Sequence, residues 1–159
     1  MYKISIICCL LYSFPAIAQN NLPDIRVKAS SGKEIIFNTI PAGGDTTTVV
    51  SFWATWCIPC VTELEIINDR LPAWKKSATF KFVAISLDDA RTTAKVRSFV
   101  KGKGWDFDYF TDPNNDLKRA LNINNIPYIL IIKKGAVIYQ HTGYIPGNEE
   151  ELFAKIQGL

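Results

Sequence analysis

The sequence predicts an α/β fold in which helices cover both faces of a central β-sheet. Strand-like runs of β-branched and aromatic residues alternate along the chain with segments of helical period, which favours a sheet packed between helices. Hairpin-like pairs of strands stand near both ends of this succession, so the sheet should be mixed. A strand-like run also leads directly into Cys57-Ile58-Pro59-Cys60, which opens a helix. That junction is the strongest candidate for a functional site.

The predicted elements follow in the order β-hairpin, βα, βα, short βα, β-hairpin and α. The first hairpin has strands at 24–29 and 34–38, and a loop at 41–45 separates it from the rest. Pro72 should kink or divide the first long helix. The remaining segments are a strand at 47–53, a helix at 59–76, a strand at 81–87, a helix at 92–101, a short strand at 107–110, a small helix ending at 121, strands at 127–132 and 136–141, and a final helix after Gly147.

The overall composition indicates one globular domain and argues against a nucleic-acid partner. The chain has 159 residues, of which 48% are hydrophobic and 21% charged. Its formal net charge is only +3, and no basic block stands out. A protein that binds nucleic acid normally carries a concentrated basic patch.

The first eighteen residues have the pattern of a secretory signal peptide. Lys3 precedes an apolar run from Ile4 to Ile17, and 16–18 has the small-x-small form of a signal peptidase site. The run is short for a membrane span, although an uncleaved anchor is the alternative. We therefore predict a signal peptide at 1–18, cleaved after Ala18, and a single exported domain at 19–159, located in the periplasm.

The cysteine count changes with this cleavage. Of four cysteines, Cys8 and Cys9 lie in the signal segment, so the mature domain keeps only Cys57 and Cys60. A disulfide that closes so short a loop constrains the unfolded chain very little, which favours a reactive pair over a structural one. The alternatives are an inert disulfide or half of a zinc site, for which His141 and carboxylates would have to supply the missing ligands.

The two cysteines are predicted to have different tasks. Pro59 suits a first helical turn, which places Cys57 at a helix N-terminus whose free N–H groups favour the thiolate. Cys57 is therefore the candidate nucleophile of thiol–disulfide exchange, and Cys60 would resolve the mixed disulfide. A Cys–His pair with His141 is an alternative way to activate Cys57. Among the tryptophans, Trp56 should lie exposed beside the pair, whereas Trp53, Trp74 and Trp105 should pack in the core.

The sequence resembles the thioredoxin-fold proteins, and more closely the exported TlpA/ResA-type thiol–disulfide oxidoreductases. The resemblance rests on residues 52–60 (Phe-Trp-Ala-Thr-Trp-Cys-Ile-Pro-Cys), on Ile126-Pro127, on Lys134-Gly135 and on Gly143. It covers nearly all of 22–159. It implies a thioredoxin-like fold with a central mixed β-sheet, an N-terminal β-hairpin extension and a central αβ insert at about 89–112.

The resemblance also implies a set of site residues. The Ile126–Pro127 bond is expected to be cis and to face Cys57, and a glutamate three residues after the second cysteine is expected to exchange protons with it. That residue is Glu63, which could instead be a solvated residue of the helix. Ser51 stands where thioredoxin has a buried aspartate, and Tyr128 where the family usually has threonine. The expected substrate groove consists of Trp56, Ile58, Pro59, Ile126, Pro127 and Gly143.

The function that follows is reduction of disulfides in exported partner proteins, without a cofactor or a bound metal. The resemblance implies a membrane-embedded thiol donor as the source of electrons and apocytochrome c, in cytochrome c maturation, among the targets. Three alternatives remain at this point. They are a disulfide-inserting oxidase, a thioredoxin-fold peroxidase in which Cys57 reduces peroxide, and a non-catalytic binding or assembly module.

Overall fold

The computed structural model describes residues 22–41 and 45–159. The predicted signal peptide and the middle of the loop at 41–45 lie outside these residues. The elements are β1 (Arg26–Ala29), β2 (Glu34–Ile36), a short 3-10 helix (Phe37–Thr39), β3 (Thr47–Trp53), α1 (Ile58–Ser77), β4 (Phe80–Ser86), α2 (Thr93–Lys103), β5 (Asp108–Thr111), α3 (Asp116–Ala120), β6 (Tyr128–Lys133), β7 (Ala136–Thr142) and α4 (Asn148–Gln157). In this part of the chain, no helix combines the length and the apolar character needed to span a membrane.

The seven strands form one mixed sheet, as predicted. Their order across the sheet is β2-β1-β5-β4-β3-β6-β7. Strands β3, β4 and β5 run parallel to one another, whereas β6 and β7 on one side and β1 and β2 on the other are antiparallel to their neighbours. The two hairpins therefore extend a parallel centre at both edges.

Strand β3 lies at the centre, and its two faces contribute to two separate cores. All seven of its residues are buried. Val49 and Trp53 face the core formed with α1, α2 and α4, whereas Val50 and Phe52 face the core that contains α3 and the N-terminal hairpin. This alternation follows from the two-residue period of a strand. Helices thus cover both faces of the sheet, and the prediction is confirmed.

The central insert joins the N-terminal hairpin to the sheet, a pairing that the sequence did not predict. Strand β5 pairs in parallel with β4 and antiparallel with β1, where Ala29 lies opposite Phe110. The aromatic residues of this region pack tightly, and the rings of Trp53 and Trp105 meet edge to face at 5.1 Å. Trp53, Trp74 and Trp105 are all buried, as predicted.

Two local predictions need correction. Helix α1 continues through Pro72 instead of dividing there. A proline inside a helix removes one backbone hydrogen bond, but the ring of Pro72 is exposed while Leu71 and Trp74 remain buried against the core. The second strand ends at Ile36, because the buried side chain of Phe37 begins a 3-10 turn in place of a longer strand.

Candidate active site

Cys57 and Cys60 are joined by a disulfide at the N-terminus of α1. Their Cα atoms are 5.3 Å apart. Cys57 is the N-cap residue, with an extended backbone, and Pro59 occupies the first turn. Cys57 is 6% exposed, whereas Cys60 is fully buried. A partner can therefore reach the sulfur of Cys57 first, and the free N–H groups of the helix end lie beside it.

The residues around the disulfide present an apolar surface to solvent. Trp56 is 63% exposed and Ile58 is 79% exposed, and Pro59 is exposed between the two cysteines. Trp56 and Ile126 both line a depression of about 380 Å³, and most of its other lining residues are polar or charged. Large apolar side chains so exposed at one place are typical of a site that another protein covers.

The Ile126–Pro127 peptide bond is cis, as the family resemblance implies. Phe52 on β3 lies opposite Tyr128 on β6, so Pro127 lies level with the end of β3, where the loop to Cys57 begins. The backbone N–H of Gly143 donates a hydrogen bond of 2.8 Å to the carbonyl of Pro127. Gly143 has φ +84°, a conformation that glycine adopts without strain. This bond joins the two ends of the hairpin beside the disulfide.

Glu63 is buried, which the helical pattern alone did not settle. It lies one turn after Cys60 on α1, and three-residue spacing places the two side chains on the same side of the helix. Only 2% of Glu63 is exposed. Burial, and secondarily the negative charge of Glu149, raise the pKa of Glu63 to about 8. Ser51, at the position of thioredoxin's aspartate, is also fully buried, and it lies on the same face of β3 as Val49 and Trp53, which share a core with Cys60.

Sequence reasoning missed three polar residues near the site. Asp88, shortly after β4, is completely buried and accepts hydrogen bonds from Thr55, two residues before Cys57. Glu149, in the first turn of α4, is 7% exposed, and Tyr144 lies in the loop before it. The spacing 149, 152, 156 would have revealed that Glu149 shares the buried face of α4.

His141 lies in β7, opposite Ile129 on β6, and its Nε2 atom is buried without a hydrogen-bond partner. No hydrogen bond within the part of the chain that the structure describes joins its ring to either cysteine. Within 22–41 and 45–159, no three potential ligands of the His, Cys, Asp and Glu types group closely enough to hold a metal ion.

The chain is similar in sequence and in structure to proteins of known families. A family model described as the AhpC/TSA family matches residues 18–145. The chain is 29% identical over 122 residues to the thiol-disulfide oxidoreductase ResA of Bacillus anthracis, an alignment that covers 76% of this chain and 67% of that protein. It is similar to the solution structure of an uncharacterized thioredoxin-like protein from Porphyromonas gingivalis, with 33% identity, a TM-score of 0.77 and coverage of 88% and 92% of the two chains. It is also similar to a structure assigned as the thiol:disulfide interchange protein DsbE of Chlorobium tepidum, with 25% identity, a TM-score of 0.72 and coverage of 87% and 94%.

Proposed function

This chain belongs to the AhpC/TSA family of thioredoxin-fold proteins, and from that premise we propose that it is a thiol–disulfide oxidoreductase acting through Cys57 and Cys60. The observation that carries the proposal is the cysteine pair itself, bonded at the N-terminus of a helix and surrounded by exposed apolar residues. The names of the relatives support it, since they include a thiol-disulfide oxidoreductase and a thiol:disulfide interchange protein.

The proposed reaction begins with the reduced pair. The thiolate of Cys57 attacks a disulfide of the partner, forms a mixed disulfide and releases one partner thiolate. Cys60 then attacks the sulfur of Cys57, which frees the second partner thiolate and leaves the Cys57–Cys60 disulfide. The partner gains two electrons and this pair loses two. A dithiol donor restores the pair by the reverse exchange.

Glu63 is the proposed proton relay of Cys60. A cysteine thiol ordinarily has a pKa of about 8.5, and the pKa of Glu63 is raised to about 8. Proton transfer between two groups of matched proton affinity costs little in either direction. Glu63 would thus take the proton when Cys60 attacks, and would return it when a donor reduces the disulfide. Ser51 has no carboxylate that could exchange a proton with Cys60, so we assign this role to Glu63.

The proposed substrate groove consists of Trp56, Ile58, Pro59, Ile126, Pro127 and Gly143. The exposed side chains of Trp56, Ile58 and Pro59 would contact the partner. Pro127 is buried and Ile126 and Gly143 are half-buried, and the hydrogen bond between Gly143 and Pro127 would hold the opposite wall in place. The depression next to Trp56 and Ile126 offers room for a side chain of the partner.

We further propose that the protein works as a reductant in the periplasm, after export by the predicted signal peptide. Its targets would be disulfide-containing exported proteins, apocytochrome c among them, and a membrane-embedded thiol protein would supply the electrons. Ile126 before the cis-proline resembles the choice of thioredoxin and favours this direction over disulfide insertion.

The reduction potential of the Cys57–Cys60 couple tests this proposal. The purified protein is equilibrated in glutathione and dithiothreitol buffers, and the fraction oxidised is read from trapped thiols. A reductant should give a value near thioredoxin's, about −270 mV, whereas a value near that of DsbA, about −120 mV, would indicate a disulfide-inserting oxidase. A pair that does not cycle would support the binding module instead. Rapid consumption of hydrogen peroxide in a coupled assay would support the peroxidase.

A further inference from the structure

Two buried carboxyl side chains, from α1 and α4, and the buried hydroxyl of a half-buried tyrosine lie near one another where α1 packs against the start of α4. Glu63 comes from α1, Glu149 from the first turn of α4, and Tyr144 from the loop before α4. Both carboxyl side chains are more than nine-tenths buried. Among the described residues, Oε2 of Glu63 and the hydroxyl of Tyr144 are buried without a hydrogen-bond partner. Two buried polar atoms without a partner are costly for the fold, so their presence beside a second buried carboxyl group calls for an explanation.

Glu149 is the member of this cluster whose surroundings stabilise a negative charge. Its Oε2 accepts a hydrogen bond of 3.1 Å from the backbone N–H of Gly147. It also lies in the first turn of α4, where the helix end stabilises a negative charge. Two neighbouring buried carboxyl groups resist being ionised together. With the charge on Glu149, the proton remains on Glu63.

The other charged groups on this side of the sheet leave the two carboxyl groups without a cation. Arg70 of α1 pairs with Glu150 of α4, and both are substantially exposed. Glu151 is exposed on the next position of α4. His141 of β7 lies on the face of the sheet beneath α4, in register with Ile129. No ion pair within the described residues involves Glu63 or Glu149.

We propose that Glu149 is a positioning residue of the redox centre, which keeps the relay proton on Glu63 and so sets the pH range in which reduction of the disulfide takes up that proton. This inference rests on the proposed function, because the relay matters only if the pair exchanges electrons. The charge of Glu149 is the second cause, after burial, of the raised pKa of Glu63. Burial and then the charge of Glu149 also raise the pKa of the half-buried Tyr144.

The proton and electron balance of the step is as follows. A dithiol donor attacks the sulfur of Cys57 and displaces Cys60, which takes the proton of Glu63. The second donor thiolate then displaces Cys57 as the thiolate, so the donor ends as a disulfide and its two thiol protons pass to solvent. Glu63 is then a carboxylate beside the carboxylate of Glu149, so it regains a proton from solvent. When Cys60 later attacks a mixed disulfide, Glu63 first releases its proton to solvent and then takes the proton of Cys60.

The test compares Glu149→Gln with Glu151→Gln, which removes the same charge from an exposed site on the same helix. The carboxyl carbon of Glu63 is followed by NMR from pH 5 to 10 in the oxidised protein. We expect Glu149→Gln to lower the proton affinity of Glu63 by roughly threefold or more, since a neighbouring charge is removed, whereas Glu151→Gln leaves it nearly unchanged. Glu149→Asp, which keeps the charge, should lie closer to the wild type than Glu149→Gln.

The second readout is the reduction potential as a function of pH. In the wild type, the slope of the potential against pH should change near the pH at which Glu63 titrates in the oxidised protein. Glu149→Gln should move this change of slope to lower pH. An unchanged titration of Glu63 in a folded and active Glu149→Gln protein overturns the inference and leaves the proposed function intact. If the cysteines do not exchange at all, the proposed function fails, and the inference fails with it. Should Glu149→Gln not fold, the Glu149→Asp variant decides. A loss of roughly threefold or more in the proton affinity of Glu63 in this variant, which keeps the charge, would rule out a role for the charge of Glu149.

Discussion

Thr55 is bound twice by the buried carboxylate of Asp88. The backbone N–H of Thr55 donates to Oδ2 at 2.8 Å and its hydroxyl donates to Oδ1 at 2.5 Å. The hydroxyl of Ser86 donates to Oδ2 as well, at 2.8 Å. The loop before Cys57 is thereby fixed to the end of β4, 33 positions later in the chain. The position of the nucleophile therefore depends on a residue that follows the neighbouring strand β4.

Asp88→Asn should destabilise the protein. An amide keeps only one of the two oxygens, so its NH₂ group would face a donor of Thr55 or Ser86, and we expect a loss of about 1–3 kcal/mol in the free energy of unfolding. Urea unfolding of the oxidised protein measures this. Thr55→Ser is the matched control, since it retains both donors and should lose much less. Equal losses in the two variants would show that the hydrogen bonds are not what stabilises this loop.

Most strands and helices of this fold could be predicted from local sequence patterns. The run from Thr47 to Trp53 has the residues of a buried strand, and Pro59 marks the helix start that places Cys57. Such patterns involve only residues that are close together in the sequence, so they can be recognised without knowledge of the fold. The pairing of β1 with β5 could not be predicted in this way, because it joins segments far apart in sequence through backbone groups that every residue carries.

The site shows the same division. Cys57 and Cys60 are recognisable from their spacing and their flanking residues. The burial of Glu63 could not be recognised from the sequence, because Arg70 lies two turns later on the same side of α1 and is exposed. The difference between the two arises from α4, which covers α1 near Glu63 and leaves Arg70 to pair with Glu150 at the surface. Polar residues such as Asp88 and Glu149 acquire their roles only from tertiary contacts.

Replacement of one cysteine should stop the exchange at a defined stage. Cys60→Ser leaves the nucleophile and removes the resolving thiol, so incubation of the reduced variant with a disulfide-containing peptide should accumulate a covalent mixed disulfide. Cys57→Ser should form almost none, because Cys60 is fully buried. Non-reducing electrophoresis and mass spectrometry measure the adduct. A mixed disulfide that forms mainly on Cys60 would reverse the assigned order of attack.

Gly143→Ala should destabilise the hairpin beside the disulfide. Its φ of +84° is a left-handed conformation, which costs a residue with a Cβ about 1–2 kcal/mol. The hydrogen bond to the carbonyl of Pro127 should weaken as the backbone shifts. Gly102→Ala is the control, because Gly102 lies within α2 and a Cβ there would meet nothing within 4 Å. Thermal unfolding should show a lower melting temperature for Gly143→Ala and an unchanged or higher one for Gly102→Ala.

The stability of the oxidised protein should fall as the pH rises from 4.5 towards 8. The pKa of Glu63 is raised from 4.5 to about 8 in the folded state, chiefly by burial. Between these values the folded state holds a proton that the unfolded state has lost, so the free energy of unfolding decreases with pH. Its contribution is complete below pH 4.5 and is lost as the pH passes about 8.

Glu63→Gln isolates this contribution, because the amide does not titrate. The difference in unfolding free energy between the variant and the wild type should therefore change in favour of the variant as the pH rises. Urea unfolding at several values between pH 5 and 9 measures it. A pH-independent difference would mean that Glu63 is ionised throughout this range in the folded protein.

Trp56→Ala should weaken partner binding and leave the fold intact. Trp56 is 63% exposed, so its removal opens no cavity in the core. Its ring lies beside the disulfide and lines the depression shared with Ile126, where a partner would cover it. In a disulfide-reduction assay with a protein substrate we expect KM to rise severalfold while the melting temperature and the reduction potential stay near those of the wild type. Ile138→Ala is the control, since Ile138 is 45% exposed on β7 away from this depression. An equal rise of KM in both variants would show that general surface hydrophobicity, and not a defined groove beside Cys57, attracts the substrate.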